Sequence, residues 1–265
     1  ECTDGGAAGA EVCYSGSLKK FSECKEVCDP KFQYDSSNCT GDKVLTGNSC
    51  GGKYEKCIEP LQYLYSDRTL SAEIIPGKSV IGIAVDPENR LAVAIDYIMT
   101  TGWGGYGIDI PTLENTPSSG AGIYVRGERD SYLIRDGKAN TAKILAYGRS
   151  NGISYPAAEA AYNYQPGSCS SSSWCGRGNW YLPSNWQVFP YFDNRATIHL
   201  MLKAINKMPD DWWYTRNDFY TVTSNEINAK ESGFIYINTG GMAHGGKNLT
   251  EPDNLQTLVL PYITY

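Results

Sequence analysis

The sequence has little of what catalytic or nucleic-acid-binding chains usually contain. Only two histidines stand among its 265 residues, and acidic residues outnumber basic ones by 29 to 23, which gives a formal net charge of -6. Because the sequence has no run of basic residues to bind phosphates, we expect no nucleic acid as a partner. The H-E-x-x-H and Walker motifs are absent. The sequence therefore predicts a non-enzymatic protein without catalytic residues.

The sequence also lacks an apolar run long enough to cross a membrane. Its longest apolar region, 79–99, is interrupted by Asp86, Glu88 and Arg90, whereas a membrane-spanning helix needs about 20 predominantly apolar residues. We expect no transmembrane segment in this chain. Because the chain begins at Glu1 rather than at a methionine, we also expect a processed or trimmed product.

The nine cysteines are distributed unevenly along the chain. Seven fall between Cys2 and Cys57, and the other two are Cys169 and Cys175. The density of the first group indicates a disulfide framework and an oxidising compartment, and zinc is less favoured because that segment has no histidine. Seven is an odd number, which leaves one thiol to pair with another chain, to pair with a cysteine upstream of Glu1, or to stay free. We expect Cys169 and Cys175 to form a structural disulfide across a Ser-rich loop.

The composition predicts three segments. Residues 1–60 are interpreted as a small disulfide-stapled module, residues 61–78 as a connector, and residues 79–265 as the ligand-binding domain. Within the domain, the β-rich runs 79–85 and 91–97 predict a hairpin, because turn residues separate them.

Helices and further strands follow the predicted hairpin. Ser184 and Gln187 match a capping box at a helix start, and Pro156 suits the first turn of another helix. Two more helices are predicted over 138–147 and 194–207. Short β-like runs come last, at 212–215, 219–223, 233–238 and 256–265. This order predicts an α+β domain in which the two ends of the chain meet in one sheet.

Four motifs occur in order along this domain. They are Asp136-Gly-Lys-Ala-Asn-Thr141, Tyr155-Pro-Ala-Ala158, Gly178-Asn-Trp-Tyr-Leu-Pro-Ser184 and Tyr220-Thr-Val-Thr-Ser-Asn-Glu226. Together they resemble the C-terminal domain of the Legionella collagen-like adhesin family and its relatives in bacterial surface proteins. The resemblance covers 79–265 and implies a C-type-lectin-like fold in a secreted or surface-displayed bacterial protein.

The segment 211–254 is the predicted recognition surface. It mixes aromatic residues with Asn, Ser and Gly, which combine a large contact area at small entropic cost with adaptable hydrogen bonding. We therefore expect its loops to bind a protein or glycan ligand on another cell or host. The candidate ligand-binding residues are Trp213, Tyr214, Arg216, Asn217, Tyr220, Asn225, Asn228, Tyr236, Asn238, His244 and Asn248. The alternative is that half of the aromatic residues fill the core. Alternation predicts Trp212, Phe219 and Ile235 buried and Trp213, Tyr214, Tyr220 and Tyr236 exposed.

A calcium site is a minor candidate near the end of this segment. Glu251-Pro252-Asp253-Asn254 resembles the Glu-Pro-Asn tripeptide of C-type lectins, in which side-chain oxygens of the type at Glu251, Asp253 and Asn254 help to bind a hard cation. The accompanying Trp-Asn-Asp motif is absent. A turn before the final strand is therefore the favoured interpretation, and no cofactor is expected.

Two other groups of proteins share the lectin-like fold. Formylglycine-generating enzymes use a cysteine pair for redox chemistry, and the resemblance would give that role to Cys169 and Cys175; the other patterns of that class are absent here. Variable proteins of diversity-generating retroelements place mutable positions, often encoded as Asn, in the C-terminal stretch. The asparagines at 217, 225, 228, 238, 248 and 254 would fit that scheme. A structural pilus or envelope component is the third alternative.

Overall fold

The computed structural model describes residues 61–100, 102–116, 136–207, 220–236, 242–248 and 257–265, together with the backbone of five strands in the first 60 residues. The chain divides into two compact units, Glu1–Pro60 and Leu61–Tyr265.

The first unit contains short antiparallel strands. Strands β1 (Glu11–Tyr14) and β2 (Ser17–Lys20) form a hairpin, and β3 (Phe32–Gln33), β4 (Val44–Ser49) and β5 (Tyr54–Ile58) form a sheet in the order β3-β5-β4. The disulfides predicted for this unit involve side chains that lie outside the described residues.

The second unit contains two five-stranded sheets and four helices. Its first strands are β6 (Gln62–Tyr65), β7 (Leu70–Ser71), β8 (Val80–Asp86), β9 (Leu91–Ala94) and β10 (Ile98–Thr100). The helices are α1 (Gly137–Asn151), α2 (Pro156–Asn163), α3 (Asn185–Asp193) and α4 (Arg195–Ala204). The last strands are β11 (Tyr220–Glu226), β12 (Glu231–Tyr236), β13 (Met242–Gly246), β14 (Thr257–Val259) and β15 (Tyr262–Thr264).

One sheet, which we call the terminal sheet, has the strand order β15-β9-β8-β6-β7. The predicted hairpin is confirmed, because β8 and β9 pair antiparallel. Strand β15 pairs with β9, so the first and last strands of the unit share one sheet as predicted. The segment interpreted as a connector differs from the prediction, since it supplies β6 and β7. Strand β6 pairs with β8, and Leu64 and Tyr65 within it are fully buried.

The other sheet, which we call the rim sheet, has the order β10-β14-β11-β12-β13. Strand β14 is parallel to β11, and the other neighbours are antiparallel. The run predicted over 256–265 therefore divides between the two sheets, with β14 in the rim sheet and β15 in the terminal sheet. The mixture of helices and sheets confirms the α+β class.

The capping box predicted at Ser184 is present, because Ser184 Oγ accepts a hydrogen bond from the Gln187 amide and the Gln187 side chain accepts one from the Ser184 amide. It begins α3, and α4 follows at once. Side chains of both helices, among them Val188, Phe189, Ile198 and Leu202, form one core cluster.

That cluster also contains Ile83 and Val93 of the terminal sheet and Ile235 and Leu258 of the rim sheet. Helices α3 and α4 therefore lie between the two sheets. Helices α1 and α2 cover the other face of the rim sheet through Ile144, Ala157 and Ala161, which share a second cluster with Val222 and Phe234. No helix among the described residues is both long and apolar enough to cross a membrane.

Candidate functional site

The loop 102–116 is pinned to one end of the rim sheet. Trp103 is 1% exposed, and its indole N–H donates a hydrogen bond of 2.9 Å to the Thr223 carbonyl. The backbone amides of Trp103 and Gly104 each donate to the Lys247 carbonyl at 3.0 Å. A side chain at Gly104 would place its Cβ 2.6 Å from the Ser154 carbonyl oxygen, so the loop packs this closely only with glycine there.

An ion pair is buried beneath this loop. The side chains of Lys247 and Glu226 are both 0% exposed, and Lys247 Nζ donates directly to Glu226 Oε1. Nζ also donates to the Ile108 carbonyl at 2.6 Å and lies 4.8 Å from the centroid of the Trp103 ring. Glu226 Oε2 accepts a hydrogen bond of 3.1 Å from the Ile110 amide. The pair thus ties strand β11 and the residue after β13 to the loop.

A line of buried polar side chains continues from the ion pair toward helix α3. Asn225 Oδ1 accepts a hydrogen bond of 2.8 Å from the Asn185 backbone amide, and Asn225 Nδ2 donates one of 2.9 Å to Thr116 Oγ1. Thr223 Oγ1 donates to Asn185 Oδ1 at 2.5 Å. Asn225, Asn185 and Thr223 are all 0% exposed. Because unpaired polar groups are costly to bury, this arrangement fixes the relative positions of the loop, the strand and the helix start.

Exposed and partly exposed side chains lie beside this buried polar region. We call the set the rim and define it as Tyr106, Asn228, Lys230, His244 and Asn248. Tyr106 is 50% exposed, and Asn228, Lys230 and Asn248 are also exposed. The loop 102–116 is joined to the turn between β11 and β12 by a hydrogen bond of 2.8 Å from the Gly107 amide to the Ala229 carbonyl.

The turn between β11 and β12 is held by its own polar contacts. The Asn228 carboxamide oxygen accepts the backbone amides of Lys230 and Glu231, at 2.8 and 3.0 Å. Its Nδ2 donates to Glu231 Oε2 at 2.6 Å. The other Glu231 oxygen lies 3.2 Å from His244 Nδ1. The rim side chains of the turn and of β13 are thus connected through Glu231.

Two of the predicted ligand-binding residues are corrected by the structure. Tyr220 is 1% exposed and Asn225 is 0% exposed, so neither lies on an exposed surface. Strand β11 is buried along its whole length, because helices cover both faces of the rim sheet, and alternation does not apply to a strand that is buried on both faces. Tyr220 packs on Phe234 with ring centroids 4.7 Å apart.

The other candidates fall into three groups. Asn228 and Asn248 are exposed, and the His244 side chain is 20% exposed, so the structure brings these three predicted residues into the rim. Tyr236 is partly buried against Phe234, and Ile235 is buried as predicted. The remaining predicted residues lie outside the described residues: Trp212, Trp213, Tyr214, Arg216, Asn217, Phe219, Asn238, Glu251, Asp253 and Asn254.

The buried residues below the rim were not predicted from the sequence. Glu226 closes the Tyr220–Glu226 motif, and Trp103 stands in a Gly-rich loop, but their partner Lys247 carries no local signal. Among the described residues, no three His, Cys, Asp or Glu side chains cluster so that they could hold a metal ion.

The disulfide between Cys169 and Cys175 is confirmed, with a Cα–Cα distance of 5.7 Å. The two cysteines are 4% and 0% exposed and pack with Leu64, Ile81 and Ala92 against the terminal sheet. The disulfide lies in a different core cluster from the side chains beneath the rim.

Comparisons with known proteins give one informative result. No family model matches the chain, and no curated protein matches it. A solved structure with a similar fold is that of a fimbrial protein from Bacteroides ovatus, with a TM-score of 0.50 and 14% sequence identity. The alignment covers 77% of this chain and 48% of the fimbrial protein, so the chain spans about half the length of that neighbour. At this identity, the similarity concerns the fold alone.

Proposed function

We propose that the chain is a non-enzymatic, adhesin-like binding protein, secreted or displayed on a bacterial surface. Its second unit has a C-type-lectin-like fold and binds a protein or glycan ligand through its C-terminal loops. The observation that carries this proposal is the rim, whose exposed and partly exposed side chains lie on a loop, a turn and the end of a strand that hydrogen bonds hold in place. Binding to loops of this kind requires little ordering, which favours affinity.

The chemistry of the rim suits a polar ligand. Tyr106 offers an aromatic face, and Asn228, Asn248 and His244 offer both donors and acceptors. Asn and Tyr side chains are frequent in natural binding surfaces, because they combine contact area with adaptable hydrogen bonds. Residues of segment 211–254 that lie outside the described residues are further candidates from the sequence, with Trp213 and Tyr214 foremost.

The four sequence motifs support the lectin-like fold, and the shared sheet of the first and last strands agrees with them. The fimbrial neighbour supports a surface location. Because that neighbour is a fimbrial protein, it also favours a second candidate function, a structural pilus or envelope component. Such a component would assemble with copies of itself, whereas a binding protein would recognise a different molecule.

The structure reduces the number of asparagine positions that could vary under the retroelement hypothesis. Asn225 is buried and bonded through both ends of its carboxamide, so variation there would leave buried groups unpaired. Asn228 and Asn248 are exposed, and variation at these positions would alter the surface without disturbing the core. We propose that any diversified positions include 228 and 248 and exclude 225, which sequences of close variants would test.

The enzyme alternative has less support. A cysteine pair that performs redox chemistry on a substrate must be accessible to it, whereas Cys169 and Cys175 are 4% and 0% exposed. Turnover of a cysteine-containing peptide by the purified chain would support the enzyme alternative instead.

The binding proposal is tested by applying the purified, labelled chain to printed arrays of glycans and of extracellular-matrix proteins. Variants Tyr106→Ala and Asn248→Ala should weaken the strongest interaction about tenfold each, which is the size of effect that residues important for an interface show. Leu200→Ala is the matched control, because Leu200 is 67% exposed on helix α4 outside the rim. Equal binding by the wild type and both rim variants would contradict the proposal. Self-association of the wild type without array binding would favour the pilus component.

A further inference from the structure

Lys247 and Glu226 place an amine and a carboxyl group in a site closed to solvent. Both side chains are 0% exposed, and Nζ contacts Oε1 directly. Glu226 is the last residue of β11 and Lys247 follows β13, and these strands are separated in the sheet by β12. A bond between the two side chains would therefore link non-adjacent strands.

The hydrogen-bond partners around the pair match an amide better than two ions. An ammonium group has three N–H donors. Among the described residues, Lys247 Nζ has two oxygen acceptors, Ile108 O at 2.6 Å and Glu226 Oε1, and it faces the Trp103 ring. An amide between Nζ and Glu226 Cδ has one N–H and one carbonyl oxygen. The Ile108 carbonyl would accept from that N–H, and the Ile110 amide, 3.1 Å from Oε2, would donate to that oxygen.

Burial also favours the reactive, uncharged forms of both groups. Desolvation raises the pKa of Glu226 and lowers the pKa of Lys247, although each charge partly offsets the effect on the other. Removing two charges from water costs several kcal/mol for each ion. A neutral amide avoids that cost while it keeps the hydrogen bonds to Ile108 and Ile110.

We propose that Lys247 Nζ and Glu226 Cδ become joined by an intramolecular amide bond. A proton first passes from the ammonium group to the carboxylate. The Nζ lone pair then attacks Cδ, the Cδ–Oε1 bond breaks, and Oε1 leaves as water with the acid proton and one amine proton. The Ile110 N–H stabilises the negative charge that develops on Oε2. The reaction needs no oxidant, reductant or cofactor, because one water is its only other product.

Mass spectrometry of the purified chain tests the proposal directly. After complete reduction and alkylation of the cysteines, the intact mass should fall short of the sequence mass by one water. Trypsin should fail to cleave after Lys247, and a branched peptide should connect the segment containing Lys247 with the one containing Glu226. A full sequence mass together with normal cleavage after Lys247 would overturn the proposal and leave a buried ion pair.

Two variants locate the bond. Lys247→Arg keeps a cation but removes the amine, so its mass should show no deficit. In Glu226→Gln the same amide would form by loss of ammonia instead of water, and its mass should equal that of the crosslinked wild type. The wild-type mass decides the question even if either variant fails to fold, because that measurement needs no comparison.

Discussion

The two sheets of the second unit are stabilised by different chemistry. The face of the terminal sheet that packs on the disulfide loop is apolar, with Leu64, Ile81, Ala92 and Ile263 fully or almost fully buried around the cysteines. Strand β11 of the rim sheet instead buries five polar or charged residues and only one aliphatic one. Those polar residues are Thr221, Thr223, Ser224, Asn225 and Glu226, each 0% exposed.

This difference suggests that the apolar contacts of the terminal sheet mainly supply stability, whereas the buried polar contacts of the rim sheet mainly fix positions. Apolar contacts are non-directional and tolerate changes that conserve volume, so the terminal sheet can serve as a scaffold. Buried polar groups need specific partners at specific distances, so the polar line below the rim admits one arrangement of loop, strand and helix. A binding surface benefits from that second property, because its side chains must keep fixed positions.

The largest expected effect comes from breaking the buried pair. Glu226→Ala leaves Lys247 buried without its partner, and removal of one member of a buried pair costs about 3–5 kcal/mol. Chemical denaturation should show a loss of at least about 3 kcal/mol. The double variant Glu226→Leu with Lys247→Met should recover part of it, because it leaves no uncompensated charge. A single variant as stable as the wild type would remove the distinction drawn between the sheets.

Opening the disulfide should have a smaller effect and should act on the scaffold. A bridge that closes a loop with a sequence separation of six residues stabilises by about 2 kcal/mol in the chain-entropy estimate. The Cys169→Ala, Cys175→Ala double variant should lose about that much in denaturant, with ligand binding unchanged while the fold is intact. Loss of binding at full folding would show that the scaffold and the rim are coupled.

Alkaline pH probes one tyrosine in each region. Burial raises the pKa of Tyr155, beside Trp103, to about 12, and burial likewise raises the pKa of Tyr181, which bonds Thr264, to about 12. A phenol whose pKa is higher in the folded state stabilises that state fully below the unfolded value near 10 and progressively less as pH rises toward 12.

The denaturant concentration at the unfolding midpoint should therefore decrease as the pH rises from 10 to 12. Tyr155→Phe should reduce that fall at little cost at neutral pH, because the Tyr155 hydroxyl has no hydrogen-bond partner among the described residues. Tyr181→Phe should also reduce it, but should lose some stability at neutral pH with its bond to Thr264. A fall that begins well below pH 10 would point to another group.

Much of the scaffold follows from local sequence. The capping box at Ser184, the proline at the start of α2 and the turn between β8 and β9 are short-range signals, and the structure has each of them. The second unit begins earlier than predicted because β6 is recognisable only by its pairing with β8, which depends on residues farther along the chain.

The buried contacts below the rim could not be predicted from the sequence for the same physical reason. Trp103, Glu226 and Lys247 are far apart in the chain, and their contacts depend on the completed sheet. The polar residues of β11 are typical of an exposed strand, so the sequence predicts Tyr220 and Asn225 at the surface. Both residues are buried instead, because α1 and α2 cover one face of that strand and α3 covers the other.

The smallest expected effect on stability concerns the rim itself. Asn248 is exposed, so Asn248→Ala should change the free energy of unfolding by no more than about 0.5 kcal/mol. Asn225→Ala is the matched contrast, because it removes buried bonds to Asn185 and Thr116 and should cost about 1–3 kcal/mol. If the rim is the recognition surface, Asn248→Ala weakens ligand binding although the fold is untouched. Two asparagines of one C-terminal segment would then have opposite roles, and the reverse pattern would place recognition elsewhere.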